Sequence, residues 1–347
     1  MFASIRFFAL CTLAACVPLA QAGNLASQDQ QGTDNLAIVD QREGMANQAE
    51  QVQEGSSNVS NIVQQNNGNV ARTLQAGPDN RVRVEQSLVA NRVVVQQTST
   101  GYGNEATVIQ NGVLNDAEVV QTFGRASLYQ EGTGNGFQVV QTVAGNSLDG
   151  SSIGAGNRTV VNQYGGGIAT TAQYGEDNRI VLTQDAPYFG ATARITQEGT
   201  QNEVDVTQLG NGRYTGGRIL LDQKGQGNVM QVNNNAALGL LDFTQDGEGN
   251  ELVVGQHGRD DSVVGSSRGG HNRVQVSQDY ENSLTLSQEG FYNEIEVEQG
   301  PEGNEAAIVQ FGDANQVSLT QRSARMVSST ATITQTGSGN RSIVMQP

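Results

Sequence analysis

Few side chains in this sequence are of kinds that make or break bonds. His257 and His271 are its two histidines. Both fall in or beside Gly-containing links with no cysteine near them, so solvated link positions are expected of them, not metal ligation or proton transfer. Glu294, Glu296 and Glu298 form an alternating row. Paired carboxylates can hydrolyse glycosides, but neighbours two apart on one exposed face lack the cleft that chemistry needs. Gly165, Gly166 and Gly167 are followed by neither the Lys nor the helix of a phosphate loop. Tyr164 and Tyr174 directly follow glutamines and are expected to lie over links. No tandem calcium-binding nonapeptides occur. No catalytic residue, metal site or cofactor is therefore expected. The chemistry that does recur is that of the primary amide. Each Asn or Gln side chain carries two N–H donors and one carbonyl acceptor, so it can bond to a copy of itself.

The amides follow one spacing rule: Asn, five residues, Gln. It holds at Asn58 and Gln64, Asn80 and Gln86, Asn104 and Gln110, Asn135 and Gln141, and Asn178 and Gln184. It continues at Asn202 and Gln208, Asn293 and Gln299, Asn304 and Gln310, Asn315 and Gln321, and Asn340 and Gln346. Variants keep the spacing and change one end. Ser329 precedes Gln335, Asn228 precedes Asn234, and the most degenerate units pair Asn146 with Ser152 and Asp261 with Ser267. About 29 such half-repeats occur at a period near 11, pairing into 14 or 15 repeats of about 22. Repetition at this period indicates a stacked architecture.

Each seven-residue unit alternates. Asn202, Val204, Val206 and Gln208 share one face; Glu203, Asp205 and Thr207 share the other. Strict period two with β-branched residues at the apolar sites predicts a strand. The links commonly read Gln-x-Gly-x-x-Asn, with Gly132, Gly199, Gly225, Gly247, Gly290 and Gly337 at the second position. Glycine there suits the positive φ of a tight arc. One strand–arc–strand unit cannot cover its own apolar face, and stacking the next unit on it does. The expected fold is all-β: a two-sheet parallel β-solenoid of amyloid-like cross-β character, in which each Asn or Gln bonds its counterpart in the coils above and below. In that register Arg81, Glu105 and Arg125 fall in one outward column, and Glu294 lies beside Arg273.

Composition fits this thin interior. Only 36% of the chain is hydrophobic, with 43 Gly, 5 Pro and no Trp. The formal charge is -16, from 35 acidic and 19 basic residues. That balance excludes nucleic acid as an expected partner, since phosphate binding needs basic patches. Residues 1–22 read as a secretory signal: Arg6, an apolar run, then Ala20, Gln21 and Ala22 as the cleavage site. Cys11 and Cys16 both lie inside it. The residues around Cys16 also fit a lipoprotein cleavage box, an alternative that stays open. The expected organisation is a signal peptide over 1–22 and a repeat array over 23–347. The array shows no atypical capping repeat at either end. Uncovered strand edges are templates for another chain, so end-to-end addition is expected.

The unit resembles the curlin repeat: Ser-x5-Gln, a Gly-containing arc, Asn-x5-Gln. Ser329, Gln335, Gly337, Asn340 and Gln346 match it throughout, and the likeness covers essentially all of 23–347. The resemblance implies a structural subunit of curli-like amyloid fibres on the surface of a Gram-negative bacterium, serving adhesion and biofilm matrix. It also implies three partners: further copies of the chain in a head-to-tail homopolymer, another curlin-type subunit, and an outer-membrane export channel. No small-molecule substrate is implied. Most first positions here hold Asn where the family has Ser, and the Gly-rich leader of the major subunit is absent. Major and nucleating roles both stay open. The alternative is a soluble monomeric β-solenoid acting as an adhesin or surface-binding module.

Overall fold

The computed structural model describes residues 23–186, 190–210, 216–301, 303–322 and 327–347. The signal segment over 1–22, with Cys11 and Cys16, lies outside the described residues. Among the described residues the chain forms 29 strands, numbered here in chain order, and no helix. Odd-numbered strands make one parallel sheet of 15 and even-numbered strands a second of 14. The two sheets form a β-solenoid of about 14 turns with about 22 residues per turn.

Alternation within each unit positions everything else. In β17 (Glu203–Leu209), Val204 and Val206 are fully buried between Asn202 and Gln208, which are buried too. Such a strand gives the interior two side chains and delivers an amide to either margin. Covering the valines by the next coil is worth about 1.5–3 kcal/mol per side chain. Neighbours lie in register one full turn apart: Gln110 pairs with Gln130, and Arg81 and Arg125 both pair with Glu105. Arg273 is likewise paired with Glu294. Arg125 approaches Glu105 at 3.7 Å, and Arg273 lies 3.4 Å from Glu251 and 4.0 Å from Glu294. These pairs are exposed, so they order the outer columns more than they stabilise them.

The two most degenerate units have a packing cause. Gly150 in β12 (Ser147–Ala155) occupies an inward position, and a Cβ there would lie 2.8 Å from Phe137 Cε1. Gly265 in β22 (Ser262–Gly270) is stacked directly on Phe243 in the same sheet, and a Cβ there would lie 2.9 Å from Cε2. A ring too large for the thin interior fits because a neighbouring side chain has been removed, from the facing sheet at Phe137 and from the next coil of the same sheet at Phe243.

The links lie on two margins. Those leaving even-numbered strands have four residues between the ladder residue and Asn in every case but the first, which has five. This is the constant edge. Links leaving odd-numbered strands range from two residues, Thr122 and Phe123, to eight between Gln208 and Gly217. This is the variable edge. On the constant edge the strand continues through Gln-x-Gly, as in β10 (Arg125–Thr133), whose pairing with β12 includes Gly132 on Gly154. Gly132 has φ +105, and a Cβ on it would lie 2.1 Å from the Gly154 carbonyl oxygen. Gly199, Gly225, Gly247, Gly290 and Gly337 occupy the same place with positive φ.

Candidate self-assembly site

The amides resolve into columns. On the constant edge one Asn column runs without interruption from Asn24 to Asn340, and Asn135, Asn178, Asn202, Asn293 and Asn315 belong to it. Asn135 shows the pattern. Its backbone N–H and its Nδ2 both donate to Asn115 Oδ1, at 2.9 and 3.1 Å. Nδ2 also donates to Glu131 O in its own link at 3.0 Å and to Gly154 O in the next coil's link at 3.1 Å. Its own Oδ1 then accepts from the backbone N–H and Nδ2 of Asn157, both at 3.2 Å. One side chain therefore ties three successive coils and closes its own arc. That satisfies polar groups whose burial unpaired would cost several kcal/mol.

The Gln columns run the other way. Each Nε2 donates to the Oε1 one turn later: Gln64 to Gln86 at 2.8 Å, Gln86 to Gln110 at 2.9 Å, and Gln310 to Gln335 at 2.8 Å in the even sheet. In the odd sheet Gln184 donates to Gln208 at 3.0 Å, Gln299 to Gln321 at 2.9 Å, and Gln321 to Gln346 at 2.7 Å. The second amide hydrogen crosses to the facing sheet, as from Gln141 to Arg125 O at 3.1 Å. Gln side chains thus fasten sheet to sheet as well as coil to coil.

Three places break the Gln columns. Gln208 donates to backbone carbonyls of Thr192 and Gly217, and not to Asn234, whose shorter side chain turns to Ala236 N and Gln256. Ser152 Oγ is buried without a partner, and Ser267 Oγ reaches only Gln288, at 3.2 Å. On the variable edge the Asn column is fragmentary. Asn58, Asn80 and Asn104 continue it, then Gly124 takes the next place and leaves Asn104 Oδ1 buried and unpaired. It resumes at Asp261, Asn282 and Asn304. Asp261 is fully buried with Oδ2 unpartnered, and burial raises its carboxyl pKa to about 6, against hydrogen bonds from Asn282 that pull it down.

The residues with a capacity for other chemistry are placed apart. His271 stacks on Tyr292, centroids 5.2 Å apart, on the constant edge. Glu298 takes Arg322 at 2.6 Å and Glu294 takes Gln316 at 2.7 Å, each across one turn of outward strand. Sequence reasoning missed one interior feature. Gln28 donates to Gln51, Gln51 to Ser60 Oγ, and Ser60 meets Thr73, at 2.8, 2.8 and 2.9 Å. The signal was there: Gln28 and Gln51 stand at inward positions that hold Val, Leu or Ile in most units.

The two ends of the stack complete the site. At one end lie β1 (Leu25–Thr33), exposed throughout, and β2 (Leu36–Arg42); at the other lie β28 (Thr330–Thr336) and β29 (Arg341–Gln346). Among the described residues no strand covers either pair. Because the columns have direction, the ends differ. The first end presents the Oε1 atoms of Gln30 and Gln41, which receive no amide from a neighbouring coil. The last end presents Nε2 of Gln335 and Gln346, which donate only to the backbone carbonyls of Gln316 and Thr330. Asn340 donates to Asn315 Oδ1, and among the described residues no later coil donates to its own Oδ1. Donors stand at one end and acceptors at the other within each amide type.

The class these features define is the two-sheet parallel β-solenoid with open strand edges. No protein-family profile matches the chain, and no curated protein sequence matches it.

Proposed function

We propose that the chain is the structural subunit of a secreted curli-like fibre, in which copies stack end to end and lengthen both sheets, serving bacterial adhesion and the biofilm matrix. One observation carries the reading: among the described residues both end strand pairs are uncovered, and their amides are complementary head to tail, Gln Nε2 at one end and Gln Oε1 at the other. Head-to-head contact would set acceptor against acceptor. The interior supports the same reading, because each coil is already a template for the next and a second copy offers the same template. The resemblance to curlin repeats adds export through an outer-membrane channel and a companion subunit of the same type.

The test is electron microscopy of the chain from Gly23 onward after dilution from denaturant at neutral pH, with diffraction from any product. Unbranched fibres with a meridional reflection near about 4.7 Å are expected. Rods of a single length that stay monomeric would overturn polymerisation and favour a monomeric surface-binding solenoid.

A further inference from the structure

We infer that each added copy is turned by about half a revolution around the long axis, so that β1 of the incoming copy pairs with β28 and its β2 with β29. The inference rests on the end-to-end reading above and fixes its geometry. Three observations lead to it.

The first is parity. The described strands number 29, so the described stack begins and ends in the same sheet. Continuing the coil beyond β29 requires an even-sheet strand on β28. A copy added without rotation puts its β1 on β29 instead and leaves the edge of β28 unpaired, a row of unsatisfied backbone groups beside a gap one strand wide. Half-repeats are alike in both sheets, so a half turn exchanges the sheets and fills every place.

The second is the arc. The link between β28 and β29 has four residues with Gly337 at its second position, and it ends the glycine column of the constant edge. On the rest of that column a Cβ would strike the carbonyl oxygen of the following coil's glycine; at Gly337 it would meet only Asn340 Nδ2, at 3.7 Å. After a half turn the link directly above is the one between β1 and β2, which also has four residues with glycine, Gly32, at the second position. Gly32 in turn is followed by Gly55 and Gly77 on the variable edge, where a Cβ on Gly32 would lie 1.8 Å from Gly55 O. The glycine column, which changes margin within one molecule, becomes continuous between two. Asn340 then meets Asn35, which leads on to Asn58 and Asn80. Without rotation the link above Gly337 would be the five-residue one from Gln41 to Asn47, with no glycine at its second position.

The third is side-chain match. Val39 and Val344 are the two hydrophobic residues that touch the core while only partly buried. The half turn sets Val39 on Val344 and the exposed Ile38 on the exposed Ile343. Unrotated addition sets Val344 on Gln28 and Ile343 on Ser27.

The experiment is disulfide trapping in the full chain carrying Cys11→Ser and Cys16→Ser. Ile343→Cys is combined with Ile38→Cys in one variant and with Ser27→Cys in another. Directly paired strands bring Cα atoms within disulfide range. Each variant is assembled under reductant, imaged, oxidised with diamide and run without reductant beside Ile343→Cys alone. The expected result is a ladder of covalent oligomers for the Ile38 pair, with the Ser27 pair no different from the single variant. A ladder from the Ser27 pair alone overturns the half turn and leaves polymerisation standing. Fibres without a ladder from either pair do the same. Absence of fibres under all conditions, including from the parent chain, overturns both.

Discussion

The two margins of this solenoid are built from the same strands and obey different rules. On the constant edge every coil begins with an Asn bonded to the Asn of the neighbouring coil, and in most coils its amide also closes the arc behind it and reaches the next coil's arc. Link length is then fixed at four residues after the first turn. On the variable edge Gly124, Gly167, Ala191, Gly217 and Gly239 stand where Asn would be, and link length ranges from two residues to eight. A shared strand register does not by itself fix the turns between strands. The clamp does, since an inserted residue would pull the Asn amide away from three or four partners at once.

Substitutions at paired positions test how far this goes. The largest effect is expected in the glycine column. Gly132→Ala places a Cβ 2.1 Å from a backbone oxygen that cannot move alone, and should cost about 3–5 kcal/mol. Gly134→Ala, two residues along at φ +66 with open space around it, should cost only about 1–2 kcal/mol. Denaturation midpoints of the two variants decide, and equal values would remove the distinction. Next comes the clamp. Asn202→Ala removes donors to Asn178, Glu198 and Gly225 and an acceptor for Asn228, and should cost about 3 kcal/mol. Asn146→Ala, on the variable edge with no amide above or below it, should cost about half as much.

A smaller effect than that of the Asn202 clamp is expected at Asp261, with a sign fixed by pH. Burial raises this carboxyl from the usual 3.8 to about 6, so the folded chain binds its proton more tightly than the unfolded one. Its contribution to stability is greatest below pH 3.8 and is lost as pH rises through 6. Asp261→Asn should therefore stabilise the fold by about 2 kcal/mol at pH 7 and change little near pH 3.5. Unfolding curves at the two pH values check this. A gain of equal size at both would mean that lost packing, and not charge, burdens the variable edge there.

Much of the architecture is legible in the sequence because strand alternation and amide spacing are local patterns. Val204 and Val206 between Asn202 and Gln208 already specify a strand and its inward face, and the count between units specifies the stack. What sequence reading merges is the difference between the margins. It emerges only when alternate links are sorted by sheet, since adjacent links such as those after Gln197 and Gln208 belong to opposite sides. The direction of the ladders is also hidden, because Asn and Gln carry the same amide and differ by one methylene. That extra length takes Gln across the interior to the facing sheet, while Asn135 bonds only along its own margin. The Gln28, Gln51, Ser60 and Thr73 chain escaped because its members sit where an apolar residue is the rule.

The opposed directions of the two ladders have an electrical consequence. Laddered Gln amides point their Oε1 toward the N-terminal end of the stack, and laddered Asn amides point their Oδ1 toward the C-terminal end. Their dipoles subtract as coils are added. An α-helix sums its peptide dipoles into partial charges at its ends; here each new turn brings both signs, and the field at the tip stays nearly independent of how long the rod has become.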